Sequence, residues 1–182
     1  ERAANVEFFN TMADTAGINT YCGIEIMGSA SRGHAQKSLD VKIKDKFGRD
    51  KVKYNLFPDR NYDNIHSFIA RNSGNDWADN TSSAGILCRD GLIQTVAKGQ
   101  MDADLMDYRP AIVFLNGQYW GISDFREKLD KYYCNNNHPE IDKDSLYMIK
   151  QFWKPGYEYE IAEGDTTLMK AFFTFIKTNN MA

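Results

Sequence analysis

Residues 111–125 read AIVFLNGQYWGISDF, two runs of strand formers on either side of Asn116-Gly117. An Asn-Gly pair readily takes the two positive-φ positions of a type I′ turn, so this stretch predicts a tight β-hairpin. A two-residue connection joins only antiparallel neighbours, and the fold must therefore contain an antiparallel sheet. Other segments carry the same period-two signature. Cys22, Ile24 and Ile26 share one face of a strand over 21–27. Leu39, Val41, Ile43 and Phe47 alternate with Asp40, Lys42, Lys44 and Lys46, which predicts a strand over 39–47 with one buried and one solvated face. The alternation resumes over 51–54 after the turn at 47–50, so these two pieces are expected to pair. Short strands are also predicted over 6–9 and 65–70.

Helical periodicity appears in three places. Over 84–98, Cys88, Leu92 and Val96 form an i, i+4, i+8 stripe, with Ser82 or Ser83 as a cap and Gly99 at the C′ position. Gly91 inside this helix costs about 1 kcal/mol relative to Ala and implies close backbone approach. Arg126 precedes Asp130, and Glu127 precedes Lys131, by four residues, which suits a helix over 124–133. A last helix begins near Asp165 and presents Leu168, Phe172, Phe175 and Ile176 on one side. Antiparallel strands, one helix, a hairpin and further helices add up to an α+β fold, a curled antiparallel sheet packed on a helix. The repeated βα units of a dinucleotide-binding domain are missing.

Charge and composition remove several function classes. The chain has 22 basic and 25 acidic residues and a formal charge of −3, so no general basic field holds nucleic acid. No apolar run is long enough to span a bilayer, and the 182 residues carry neither the basic nor the apolar region of a signal peptide. Cys22, Cys88 and Cys134 are widely spaced, and His34, His66 and His138 are scattered without a ligand spacing, so no metal site is predicted. Asn80-Thr81-Ser82 fits a glycosylation sequon, relevant only in a secretory eukaryotic setting.

The loop GSASRG at 28–33 is built of small residues around one guanidinium, Arg32. Its backbone can approach a ligand closely while Arg32 closes from the side, and Lys37 follows at the start of a strand. Phosphate is the ligand this chemistry suits; the alternative is a tight turn with Arg32 paired to a surface acid and Lys37 solvated. The spacing matches neither GxGxxG nor Gx4GK[ST]. Asp90 is placed to hold Lys37 from the helix, or else to form a helix-surface ion pair. The turn at 75–77 can orient a ligand or simply cap, and Glu127 follows the second hairpin strand.

GIEIMGSASR at 23–32, QKSL at 36–39, RNSGNDW at 71–77, Arg89-Asp90, YRPA at 108–111, LNGQYWG at 115–121 and REKLD at 126–130 together resemble the spore-coat protein H (CotH) kinase-like family, in the family's order and across about residues 6–150. The resemblance implies an atypical protein kinase fold that uses ATP with Mg²⁺ or Mn²⁺ and phosphorylates Ser or Thr of secreted or surface proteins, and a secreted, cell-surface or periplasmic location for the protein itself. It implies a kinase-like N-terminal lobe over 1–133 and, over 134–182, the start of a helical C-terminal lobe or a linker segment. Cofactor-binding roles then fall to Ser29, Ser31, Arg32, Lys37, Asp90 and Glu127, with Lys37 as the strand lysine reaching the α/β-phosphates and Glu127 opening the interlobe linker. Gly91 stands where the family usually has Ala. The family's catalytic Asp/Asn segment, and its metal-binding Asp-x-Asp with the Phe-Gly that follows, are not found in these 182 residues. No catalytic residue is assigned, and the chain alone is expected to be inactive. The competing expectation is a noncatalytic extracellular module that binds protein or glycan.

Overall fold

The computed structural model describes residues 1–11, 15–77, 85–151 and 159–179. The chain divides into two compact units, Glu1–Lys128 and Leu129–Ala182. The first is built on a six-stranded antiparallel sheet. Its strands are β1 (Arg2–Phe9), β2 (Ala16–Met27), β3 (Ser38–Lys42), β6 (Ser67–Arg71), β7 (Tyr108–Leu115) and β8 (Gln118–Arg126), in the spatial order β1-β2-β3-β6-β8-β7. A small separate ribbon pairs β4 (Val52–Lys53) with β5 (Asn64–Ile65). Among its described residues the unit has one α-helix, α1 (Arg89–Ala97). The fold is α+β, a curled antiparallel sheet with a helix packed against it, as the sequence predicted.

Hairpin β7–β8 forms as expected: Leu115 faces Gln118 across the turn, and both Asn116 (φ 50°) and Gly117 (φ 78°) take positive φ. The strand predicted over 39–47 is shorter. Its regular part ends at Lys42, Ile43 donates one last bond to the His66 carbonyl, and residues Asp45–Phe47 turn as a 3₁₀ segment closed by Gly48 at φ 107°. The expected pairing of 39–47 with 51–54 does not occur. Instead the chain makes an excursion in which Val52, Leu56, Phe57 and Ile65 are buried against the sheet, and Val52 pairs with Ile65. Burial of these four apolar side chains outweighs a local hairpin, and the 65–70 strand is split at His66 into β5 and β6.

Register defines two faces. Ile26, Leu39, Ala70, Phe125 and Arg109 lie in one row across β2, β3, β6, β8 and β7, while Glu25, Asp40, Ile69, Arg126 and Tyr108 lie in the next. Adjacent rows point to opposite faces. One face holds the hydrophobic core of Ile18, Cys22, Leu39, Val41, Phe68, Ala70 and Phe125, joined by Phe8 from β1 and by the 52–65 excursion. The other face carries the ionic residues and receives α1.

Helix α1 begins at Arg89, not near residue 84 as predicted, and the proposed serine caps lie outside the described residues. Asp76 does the capping from a preceding turn, accepting from the backbone N–H groups of Ile86 (3.0 Å) and Arg89 (2.9 Å). The predicted stripe is also corrected, since Leu92 and Val96 are exposed. Gly91 is the buried position, and its missing side chain makes room for the Tyr108 ring.

The second unit holds α2 (Lys131–Asn137), the antiparallel pair β9 (Met148–Gln151) and β10 (Tyr159–Glu163), and α3 (Thr167–Thr178). Strand β8 runs on to Arg126, so the helix predicted over 124–133 starts only at Lys131, where Asp130 accepts from the N–H groups of Tyr132 (2.9 Å) and Tyr133 (3.1 Å). The β9–β10 ribbon is a strand pair that the sequence reading did not assign. Helix α3 starts close to Asp165 as expected, and the Asp165 carboxylate, one residue before the N-cap Thr166, accepts from Thr167 N–H at 2.7 Å.

Candidate functional site

The loop between β2 and β3 is held as a rigid object by side chains with long sequence separation. Gln36 donates to the Ile122 carbonyl (2.8 Å) and to Ser123 Oγ (3.2 Å), and its own carbonyl accepts from Asn72 Nδ2 (2.7 Å). Ser38 Oγ donates to Asn72 Oδ1 at 2.8 Å, with both residues buried. The indole of Trp120 donates to the Lys37 carbonyl at 3.4 Å. Gly121, at φ 131°, leaves the space the Gln36 amide fills. These contacts fasten the loop's exit to β6 and β8, so its remaining residues are displayed from a fixed base.

Within the loop, Gly28 has φ 116°, and Ala30–Gly33 form one 3₁₀ turn in which Arg32 N–H donates to the Ser29 carbonyl and His34 N–H to the Ser31 carbonyl. The Lys37 ammonium turns back into this turn, donating to the Arg32 carbonyl at 2.7 Å and to the His34 carbonyl. It therefore orders the loop's own backbone. The Arg32 guanidinium has no protein partner among the described residues. Ser29, Ser31, Arg32 and Lys37 are thus brought together in one small loop.

Asp90 and Glu127 are not part of that cluster. Asp90 accepts from Arg71 Nη1 (2.7 Å) and from Arg126 Nη1 (2.8 Å), so the expected Asp90–Lys37 pair is replaced by two arginines on neighbouring strands. Register explains the replacement, because Arg71 and Arg126 project from the face that α1 covers. Arg126 is only 1% exposed. Burial lowers its pKa, and the Asp90 carboxylate works against that shift. Asp124, also buried, has its carboxyl pushed up by desolvation while Ser73 Oγ donates to it at 3.2 Å.

Glu127 follows Arg126 and points the other way. Its carboxylate receives both Arg60 Nε (3.1 Å to each oxygen) and Arg60 Nη2, together with the Tyr62 hydroxyl and Asp107 N–H (2.6 Å). Every oxygen of this buried group is engaged, which makes it a clamp joining the excursion, the β7 approach and the end of β8. Desolvation, then the charge of Glu127, raises the Tyr62 phenol. Lys128 alternates back to the ionic face and donates to Asp40 Oδ2 at 2.8 Å.

The ionic face is continuous along β3. Lys42 bridges Glu25 and Asp40, with 18% of its side chain exposed, so the face predicted to be solvated is largely covered. The Lys42 contact holds the Glu25 carboxyl below its usual range. Asp40 Oδ1 and Arg126 Nε find no hydrogen-bond partner among the described residues. Sequence reading missed Arg60, Arg71, Asp40, Arg126 and Lys128 as a charged system. The available signal was the alternation of charged residues in β3 and β8, which marks a common face but not its burial.

A family model, CotH kinase protein, matches residues 24–181. The chain belongs to the CotH kinase protein family. The match begins in β2, just before the Gly28–Gly33 loop, and runs through both compact units. A comparison with curated proteins found no match. No helix among the described residues is long and apolar enough to cross a membrane. Among the described residues, no group of three or more His, Cys, Asp or Glu side chains is arranged to hold a metal ion. The donors of the CotH-family loop, a guanidinium and two serine hydroxyls, suit phosphate oxygens and supply no anionic oxygen to Mg²⁺.

Proposed function

We propose that this chain is the nucleotide-binding part of an atypical Ser/Thr protein kinase that phosphorylates secreted or surface proteins, with residues 1–133 as its N-terminal lobe and 134–182 as the start of its C-terminal lobe. The observation that carries this reading is the β2–β3 loop: a braced base and an ordered 3₁₀ turn with the Arg32 guanidinium left free of protein partners among the described residues. Arg32, with the Ser29 and Ser31 hydroxyls, meets the phosphates of ATP, and Lys37 holds the turn in shape or swings onto the phosphates when they arrive. ATP supplies the transferable γ-phosphoryl group. Asp90 acts indirectly, keeping α1 against the sheet through Arg71 and Arg126, and Glu127 fixes the start of the linker. Phosphoryl transfer further needs metal ligands and an oriented acceptor. The 182 residues contain no Asp-x-Asp followed by Phe-Gly, so the chain alone is expected to bind nucleotide and not to transfer phosphate.

A second reading, a noncatalytic extracellular module for protein or glycan, draws support from the closed pairing of Asp90, Glu127 and Lys37 within the protein. Calorimetry with ATP and Mg²⁺ separates the two. The kinase reading expects Arg32→Ala and Lys37→Ala each to weaken ATP binding at least tenfold, while Lys53→Ala, whose side chain is 77% exposed, leaves it unchanged. No ATP binding by the wild-type chain, or equal losses in all three variants, would favour the module. Metal-dependent autophosphorylation by this chain, abolished by Lys37→Ala, would show that its catalytic groups lie within it.

A further inference from the structure

The turn over 72–77 carries the phosphate loop on one side and the entry to α1 on the other. On the loop side Asn72 is the joint, and it is fully buried. It donates from Nδ2 to the Gln36 carbonyl (2.7 Å) and accepts at Oδ1 from Ser38 Oγ (2.8 Å) and Gly74 N–H (3.1 Å). Its own N–H donates to Ser38 Oγ at 3.0 Å. At the other end of the turn the Trp77 ring meets His34, the residue that closes the 3₁₀ turn of the loop, at 4.7 Å between ring centroids. On the helix side Ser73, held at φ 65°, donates from Oγ to the Leu87 carbonyl at 2.6 Å, and the Asp76 carbonyl accepts from Leu87 N–H at 3.3 Å. The Asp76 carboxylate caps Ile86 and Arg89. Gly85 lies so close that a Cβ there would stand 2.3 Å from the Trp77 carbonyl oxygen.

Helix α1 is the element free to respond. Among its described residues only Gly91 is buried, while Leu92, Ile93 and Val96 are exposed. Polar contacts hold it in place: Asp90 to Arg71 and Arg126, Gln94 Oε1 to Met106 N–H (2.7 Å), and Lys98 Nζ to Asp107 (2.9 Å). A helix with so few buried apolar contacts opens locally at lower cost than the sheet beneath it, so its anchors bias an equilibrium between docked and frayed states. The 72–77 turn is one of those anchors, and the same turn is bonded to the loop.

We propose that the 72–77 turn couples the two sites, so that an ordered phosphate loop favours docked α1, with Asn72 and Trp77 as positioning residues. The ligand that orders the loop is the phosphate chain of a nucleotide, and this part rests on the kinase reading. The link from loop to helix does not, because it runs through bonds already present in the free chain. Coupling of this kind is reciprocal, so loosening α1 also weakens the loop's hold on its ligand.

Amide hydrogen exchange of the whole chain, read by NMR, tests the link. His34 and Trp77 lie outside α1, yet His34→Ala and Trp77→Leu should each speed exchange at residues 93–97 by about fivefold or more, while β3 and β6 keep their wild-type rates. The double variant should be no faster than Trp77→Leu alone, because both changes cut one contact. Saturating ATP with Mg²⁺ should slow the same amides in the wild type by more than in Trp77→Leu. Gln94→Gly, which loosens α1 away from the turn, should weaken ATP binding in calorimetry. Wild-type exchange over 93–97 in His34→Ala, equal acceleration of helix and sheet, or full additivity in the double variant would overturn the proposal, and His34→Ala alone decides if Trp77→Leu does not fold. ATP that binds without altering α1 overturns the coupling and leaves the kinase reading intact. ATP that does not bind removes the kinase reading, and the exchange rates of the variants still decide the link.

Discussion

The two faces of the main sheet are built from the same strands and differ in kind. On one face Phe68, Leu39, Val41 and Phe125 pack against the 52–65 excursion; on the other, one residue along each strand, Glu25, Asp40, Lys42, Arg71 and Arg126 form ion pairs with one another and with α1. Removing apolar surface from water is non-directional and stabilises in proportion to area. The ionic face brings less net stability, because each buried charge first loses water, but it fixes partners and orientation. The apolar face thus sets whether the unit folds, and the ionic face sets where α1 and the end of β8 sit.

The largest predicted effect lies on the apolar face. Phe68 is 1% exposed and touches Phe125 at 5.0 Å between ring centroids. Phe68→Ala should destabilise the sheet unit by about 3–5 kcal/mol. Urea unfolding followed by tryptophan fluorescence reads this; a loss comparable to a surface substitution would mean the core is elsewhere.

Breaking the Glu127 clamp should cost somewhat less. Glu127→Gln keeps the shape but removes the charge that compensates Arg60, and a loss of about 2–3 kcal/mol is expected from charge-assisted hydrogen bonds of this kind. In the double variant with Arg60→Met, the two losses should fall well short of adding, since each removes the same contact. Strict additivity would refute the clamp.

This contrast also explains what could be read from the sequence. Residues 115–118 revealed the hairpin because an Asn-Gly turn is local chemistry, and the apolar row of Cys22, Ile24, Leu39 and Val41 was legible by period two. The pairing of β4 with β5 was not, since it depends on Val52, Leu56, Phe57 and Ile65 covering a face assembled from strands far apart in sequence. Asp40 and Lys42 read as solvated because alternation marks sides and is silent on what covers them. For the candidate site, the loop residues Ser29 to Lys37 were legible as a group, while the partners of Asp90 and Glu127 depended on strand register.

Two buried aspartates on the same unit should respond to pH with opposite sign. Burial opposes ionisation of Asp76, but backbone N–H bonds from Arg89 and Ile86 together hold its carboxyl below the ordinary value of 3.8. A lowered folded pKa contributes stability above the unfolded pKa that is lost as pH falls through the folded one. Asp76→Asn should therefore cost about 1–2 kcal/mol at neutral pH, with the gap to wild type closing below about pH 4. Asp124 is raised by burial, so its contribution is fully present below 3.8 and lost as pH rises through the folded pKa. Asp124→Asn should accordingly gain on wild type as pH rises from acid toward neutral. Melting temperatures across pH 3–8 decide the matter, and parallel profiles for both variants would contradict the two environments.

The smallest effects are expected on α1, where they test the corrected helix face. Gly91 and Val96 lie in one helix, yet a Cβ added at Gly91 would stand 2.9 Å from carbons of the Tyr108 ring, whereas Val96 is 66% exposed. Gly91→Ala gains about 1 kcal/mol of helix propensity, but overpacking against Tyr108 costs about 1–3 kcal/mol. The net change should lie between about neutral and a loss of about 2 kcal/mol. Tyr108→Ala removes the ring, so in that background the same Gly91→Ala change should become stabilising. Val96→Lys sits on the stripe that periodicity alone assigns to the core, and exposed substitutions of this kind stay within about 0.5 kcal/mol. A larger loss from Val96→Lys than from Gly91→Ala, read by thermal unfolding, would return the apolar stripe to the buried side and detach Asp90 from the arginines that now hold it.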